Sequence, residues 1–113
     1  MTAQPEGAYV QVGPNRIHYH AVGPEDGHPV VFLHGSGPGA SGHSNFAANA
    51  AFLAERGYRA LMPDAIGYGR SDKPADAQYT IDFFVDHLLG MLDGLGIARC
   101  TLVGNSMGGA VAI

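Results

Sequence analysis

The chain opens with two short strand-type runs, Ala8 to Val12 and Arg16 to Val22, separated by the turn signal Gly13-Pro14-Asn15, which together predict an N-terminal hairpin. Val30-Val31-Phe32-Leu33 is a continuous apolar run, the pattern of a strand covered on both faces in a parallel sheet. Asn45 to Arg56 has helical spacing, with Phe46, Ala50 and Leu53 on one face, Ser44 or Asn45 as cap and Gly57 as the stop. Ala60-Leu61-Met62 predicts a second core strand. Ile81, Phe84, Val85, Leu88, Leu92 and Leu95 repeat at helical spacing behind Thr80, an N-cap, with Gly94 or Gly96 near the end. That stripe reads as core packing. Cys100 to Val103 forms the last strand. A hairpin followed by strand–helix repeats predicts an α/β domain with a mostly parallel sheet and its functional groups on loops at the carboxyl edge.

Three of those loops carry candidate chemistry. The last strand runs into Gly104-Asn105-Ser106-Met107-Gly108, a Gly-x-Ser-x-Gly pattern with small apolar residues behind it. A serine so placed sits on a sharp strand-to-helix turn that pushes its hydroxyl out of the sheet top, as an acyl-transfer nucleophile requires. The first apolar strand empties into His34-Gly35-Ser36-Gly37-Pro38-Gly39-Ala40-Ser41-Gly42, too rich in glycine for a helix. No Gly-Lys-Ser/Thr follows, so it is not a phosphate-binding P-loop. It reads instead as an oxyanion loop, in which glycines let a backbone N–H approach a substrate. The third loop starts at Pro63-Asp64, where the aspartate is expected to fix the loop by accepting backbone N–H groups. His18 and His20 share a strand face by the period of two, but no carboxylate or third histidine lies at ligand spacing nearby, so no metal site is assigned. His87 reads as a surface or satisfied histidine.

Composition narrows the field. The chain is 46% hydrophobic and 14% charged, enough to bury a core in one domain of 113 residues. A net charge of -4 with no basic patch argues against nucleic acid as a partner. No apolar run approaches membrane-spanning length. Met1 to Glu6 shows neither the charged nor the apolar region of a secretory signal. The single cysteine, Cys100, reads as a small buried hydrophobe and allows no internal disulfide, which fits a cytoplasmic location.

Taken together, His34-Gly35 after one strand, Asp64-x-x-Gly67-x-Gly69-x-Ser71 after the next and Gly104-Asn105-Ser106-Met107-Gly108-Gly109 after the last resemble the α/β-hydrolase family, over about Arg16 to Ile113. Within it, His34-Gly35-Ser36-Gly37-Pro38-Gly39-Ala40 with Ser44-Asn45-Phe46 resembles the meta-cleavage-product hydrolases. These are serine enzymes that hydrolyse a carbon–carbon bond in dienoate ring-fission products of aromatic catabolism. The resemblance implies Ser106 as nucleophile and the N–H groups of Met107 and Ser36 as oxyanion hole. It implies Asn45 and Asn105 at the oxygenated dienoate end of a small-molecule substrate, with Gly35 and Gly37 shaping the loop. The implied mechanism is hydrolytic and needs no cofactor or metal. His43 departs from the subgroup, which commonly has tryptophan there.

In this fold the acid and histidine of the triad follow the serine. Only Met107 to Ile113 follow Ser106, and they contain neither; His18, His20, His28, His34, His43 and His87 all lie upstream. The expectation is that residues 1–113 are the N-terminal part of a single α/β-hydrolase domain whose lid and C-terminal strands are absent. Such a fragment would be inactive alone and would leave the edge of its last strand open. The alternatives are an esterase, lactonase or amidase of the same fold, a non-catalytic binding protein built on it, or a self-sufficient mini-domain. Haloalkane dehalogenases and epoxide hydrolases carry aspartate at the elbow, so Ser106 argues against both. Neither the substrate side group nor the oligomeric state is legible, and a homo-oligomer of the full-length protein stays open.

Overall fold

A computed structural model describes residues 7–113; Met1 to Glu6, read above for a secretory signal, lie outside the described residues. β1 (Ala8–Val12) and β2 (Asn15–Val22) form the expected hairpin. They are joined across Gly13, whose φ of 56 suits the first central position of a two-residue hairpin turn. β3 (Pro29–Leu33), α1 (Gly42–Ala54), β4 (Arg59–Pro63), α2 (Ile81–Gly94), β5 (Thr101–Gly104) and the short α3 (Met107–Ala112) follow. The sheet order is β1-β2-β4-β3-β5. The strands belonging to the strand–helix repeats, β3 with β4 and β3 with β5, run parallel, while the hairpin joins the sheet antiparallel through β2 and β4.

β3 explains the layering. Its period of two sends Val31 and Leu33 to one face and Val30 and Phe32 to the other, and all four are buried. Val31 and Leu33 join Leu61, Ile66, Phe84, Leu88 and Met91 under α2. Val30 and Phe32 join Ala60, Met62, Phe46 and Ala50 under α1. The result is a three-layer sandwich. In α2 the buried seam is Phe84, Leu88 and Met91, so Ile81, placed on the core stripe by its spacing, instead stands exposed in the first helical turn. Thr80 caps the helix as expected, its Oγ1 accepting from the Phe83 N–H at 3.1 Å.

α1 begins three residues before the predicted start. Ser41, not Ser44 or Asn45, is its N-cap, and Ser44 closes a capping box with it. Gly42 fixes that register. A Cβ there would lie 2.6 Å from the carbonyl oxygens of Met62 and Pro63, so only glycine lets the first helical turn seat against β4.

The chain path creates the site. From β3 it crosses to β4 on one side, then returns through α2 to β5 on the other side of β3. The loops leaving β3 and β5 therefore diverge at a topological switch point, where open α/β sheets bind their ligands. Register brings them together, because Leu33 pairs with Gly104 and the Asn105 N–H donates to the Leu33 carbonyl at 3.0 Å.

Candidate active site

Ser106 is the only described non-glycine residue at positive φ, with φ 58 and ψ -114. Backbone of that kind favours glycine. Such strain persists only where the surroundings enforce it, and here two glycines do. A Cβ on Gly104 would lie 2.4 Å from the Gly108 carbonyl oxygen, and one on Gly108 only 2.0 Å from that of Leu33. α3 thus sits directly on the carboxyl ends of β3 and β5, and the chain must turn within Asn105 and Ser106 to reach it. Ser106 is exposed, and its hydroxyl makes no cap hydrogen bond to its own helix.

Facing it, the glycine loop forms the wall of an open trough of about 450 Å³, the size range of small-molecule pockets (about 300–1,000 Å³). Gly35, Ser36, Gly37, Asn45, Asn105 and Ser106 all line it. Of the site residues implied by the resemblance, Met107 alone turns its side chain away, into the core beside Val111. Its N–H opens α3, at a position without an acceptor inside the helix. Gly37 closes a turn by accepting the Ala40 N–H at 3.0 Å. Asn45 turns inward, its Oδ1 accepting the Gly35 N–H at 3.3 Å. The Ser36 N–H has no acceptor among the described residues. Gly35 lies against the elbow, since a Cβ there would meet the Asn105 carbonyl oxygen at 3.5 Å and the Ser106 Cβ at 3.6 Å.

Two buried side chains hold this arrangement from behind. Asp64 fixes its loop as expected, and does more. Its Oδ1 accepts the Gly42 N–H at 3.0 Å; its Oδ2 accepts the Arg70 N–H at 3.0 Å and lies 2.9 Å from His18 Nδ1. The His18 ring, weighed above only as half of a metal pair, is an anchor for Asp64 and is 1% exposed. The second side chain is His34, 2% exposed. Its Nε2 accepts the Ala65 N–H at 3.0 Å, which places the ring proton on Nδ1, 2.6 Å from the Gly35 carbonyl oxygen. Neither role could be read from spacing, because the partners stand 46 and 31 residues apart in the chain. The His34-Gly35 dipeptide was the one visible signal.

The other histidines are occupied elsewhere. His87 bonds the Phe83 carbonyl and Asn15, the satisfied histidine expected, and His28 bonds Thr101 across the strands. His43 packs tilted against His20, with ring centroids 4.9 Å apart. Burial, and then the neighbouring His20, hold its imidazole below the ordinary 6.5, with Asp64 pulling the other way. A depressed histidine favours the neutral form when folded, so its contribution is full above about pH 6.5 and is lost as pH falls through the folded value. His43→Gln is therefore expected to flatten the acid limb of stability. The check is the urea midpoint measured between about pH 7.5 and about pH 5, where an unchanged slope would contradict it. Burial raises the pKa of the half-buried Cys100, as fits a packing residue rather than a nucleophile.

Among the described residues, no helix is long and apolar enough to cross a membrane. A family model described as alpha/beta hydrolase fold matches residues 28–113. The chain is 46% identical over 87 residues to the 2-hydroxymuconate semialdehyde hydrolase of Pseudomonas sp. (strain CF600), covering 77% of this chain and 30% of that protein. It is 41% identical over 97 residues to the 2-hydroxy-6-oxo-6-phenylhexa-2,4-dienoate hydrolase of Comamonas testosteroni, covering 86% and 33%. Among solved structures, the meta-cleavage product hydrolase from Pseudomonas fluorescens IP01 superposes with a TM-score of 0.87 at 37% identity, over 95% of this chain and 38% of that one. The chain thus spans about a third of the length of the relatives it matches.

Proposed function

Since the chain belongs to the alpha/beta hydrolase fold family, we propose that its parent protein is a serine hydrolase that cleaves a carbon–carbon bond in dienoate ring-fission products of aromatic compounds. The observation that carries this is the strained elbow at Ser106 facing a glycine loop whose Ser36 N–H has no acceptor among the described residues. The dienoate substrate class is supported by the substrates for which the relatives are named.

In this reading the substrate is first ketonised, with Asn45 and Asn105 contacting its oxygenated end. Ser106 Oγ attacks the remaining ketone carbonyl and gives up its proton to a base. The oxyanion is held by the N–H groups of Ser36 and Met107, which in working sites lie about 2.7–3.1 Å from it. Collapse breaks the carbon–carbon bond, and the departing carbanion is stabilised as a dienolate and takes a proton. Water then releases the acyl group from Ser106 as a carboxylic acid. We assign the base and its acid to the part of the parent protein that corresponds to the remaining length of the relatives. No cofactor enters these steps. We place the protein in the cytoplasm on its lone cysteine.

The test is turnover by the protein as its native source makes it. Dienoate ring-fission products should be hydrolysed, with loss of the dienolate chromophore, at a higher kcat/KM than simple aryl esters. Turnover of aryl esters alone would assign an esterase of the same fold; tight binding without turnover would assign a receptor.

A further inference from the structure

We propose that His34 is a positioning residue for the oxyanion donor: by pinning the Gly35 carbonyl it aims the Ser36 N–H of the same peptide into the site. The proposal rests on the reading of Ser36 and Ser106 given above. A trans peptide is planar, with its C=O and N–H pointing in opposite directions. Whatever holds the Gly35 oxygen therefore sets the direction of the Ser36 N–H. His34 Nδ1–H holds that oxygen at 2.6 Å, from a ring that is 2% exposed.

The ring is itself tied at its far side, where Nε2 accepts the Ala65 N–H from the loop after β4. Tyr68 from the same loop packs edge-on against it, with ring centroids 5.3 Å apart. On the other flank of Gly35, Asn45 Oδ1 takes the N–H. Gly35 is clamped at both its amide and its carbonyl, so its exposed neighbour Ser36 has a fixed peptide plane at the mouth of the glycine loop. Donation into a carbonyl also polarises the peptide and strengthens the N–H as a donor. His34 touches no reacting atom; it acts through the Gly35–Ser36 peptide.

Two substitutions separate the two ring nitrogens. In His34→Asn the side-chain amide nitrogen takes the place of Nδ1 and can still donate to the Gly35 carbonyl. In His34→Gln the side chain instead reaches the place of Nε2 and can serve the Ala65 N–H. Both are made in the native protein and assayed with a dienoate ring-fission product, beside Ser106→Ala. His34→Gln is expected to lower kcat about 10- to 100-fold relative to His34→Asn, with KM within about twofold, because an oxyanion donor acts in the transition state.

Equal kcat values for the two variants, or a loss confined to KM, would overturn the assignment. If turnover survives Ser106→Ala, the functional reading falls and this inference with it. If Ser106→Ala is dead while the His34 pair is equal, the inference alone falls. A measurement on the unmutated protein needs no variant to fold. Long-range ¹H–¹⁵N spectra should show His34 protonated at Nδ1, and an Nε2–H ring would overturn the proposal.

Discussion

Replacing Ser106 with alanine is expected to lower turnover by a factor of about 10⁴ or more, because in the proposed mechanism its hydroxyl is the nucleophile, and the other serines lining the trough, Ser36 and Ser44, do not stand on the strained elbow. What remains is binding and oxyanion stabilisation, which alone fall far short of a working nucleophile and base. The same position makes an opposite prediction for stability. The backbone at Ser106, φ 58 and ψ -114, is enforced by α3 packing onto the ends of β3 and β5. Backbone strain of this kind costs about 1–3 kcal/mol. Ser106→Gly should release most of it, offset by the greater entropy that glycine gives the unfolded chain, for a net gain of about 1 kcal/mol. Ser106→Ala should gain nothing, since alanine keeps its Cβ. Urea midpoints for the two variants beside the parent protein check this, and equal midpoints would mean the elbow is not strained.

The second large effect is at Asp64. Its carboxylate is 3% exposed and serves Gly42, Arg70 and His18 at once, while its own carbonyl accepts the Ser71 hydroxyl at 2.6 Å. Asp64→Ala leaves the buried Gly42 N–H and His18 imidazole, and the part-buried Arg70 N–H, without their acceptor. Removing one member of a buried charged network typically costs about 3–5 kcal/mol. Asp64→Asn keeps one oxygen and should cost about half as much. Either loss is a large fraction of a stability of about 5–15 kcal/mol. The damage should reach the site as well, because Gly42 opens α1 and α1 carries the Asn45 clamp on Gly35. Chemical denaturation measures the first effect and kcat the second. An Asp64→Ala protein as stable as its parent would contradict the network.

Much of this architecture was legible in the chain because it rests on local patterning. The continuous apolar run at Val30 to Leu33 marked the strand buried on both faces, and the Phe84, Leu88 spacing marked the helix over it. The elbow was legible because Gly104 and Gly108 are demanded by contacts close along the chain and by the end of β3. The start of α1 was not, because a carboxylate 22 residues away decides it, together with two carbonyls of β4. Ile81 was assigned to the core by a spacing that ignores where the first turn of α2 meets solvent. The parts of His18 and His34 depend on partners that only the folded sheet brings near. A histidine in a strand, or just past its end, gives no sign of which loop it will serve.

β5 lies at the edge of the described sheet, and Val103 on it is partly exposed at 36%. The proposed placement of a base beyond this chain leaves the proposed roles of Ser106, Ser36 and Met107 unchanged. The most direct measurement of that claim is a structure of the native protein after reaction with an alkyl phosphonate, whose tetrahedral oxygen imitates the oxyanion. Covalent attachment to Ser106 Oγ is expected, with the phosphoryl oxygen about 2.7–3.1 Å from both the Ser36 and the Met107 nitrogen. Attachment at another residue, or an oxygen turned away from either N–H, would contradict it.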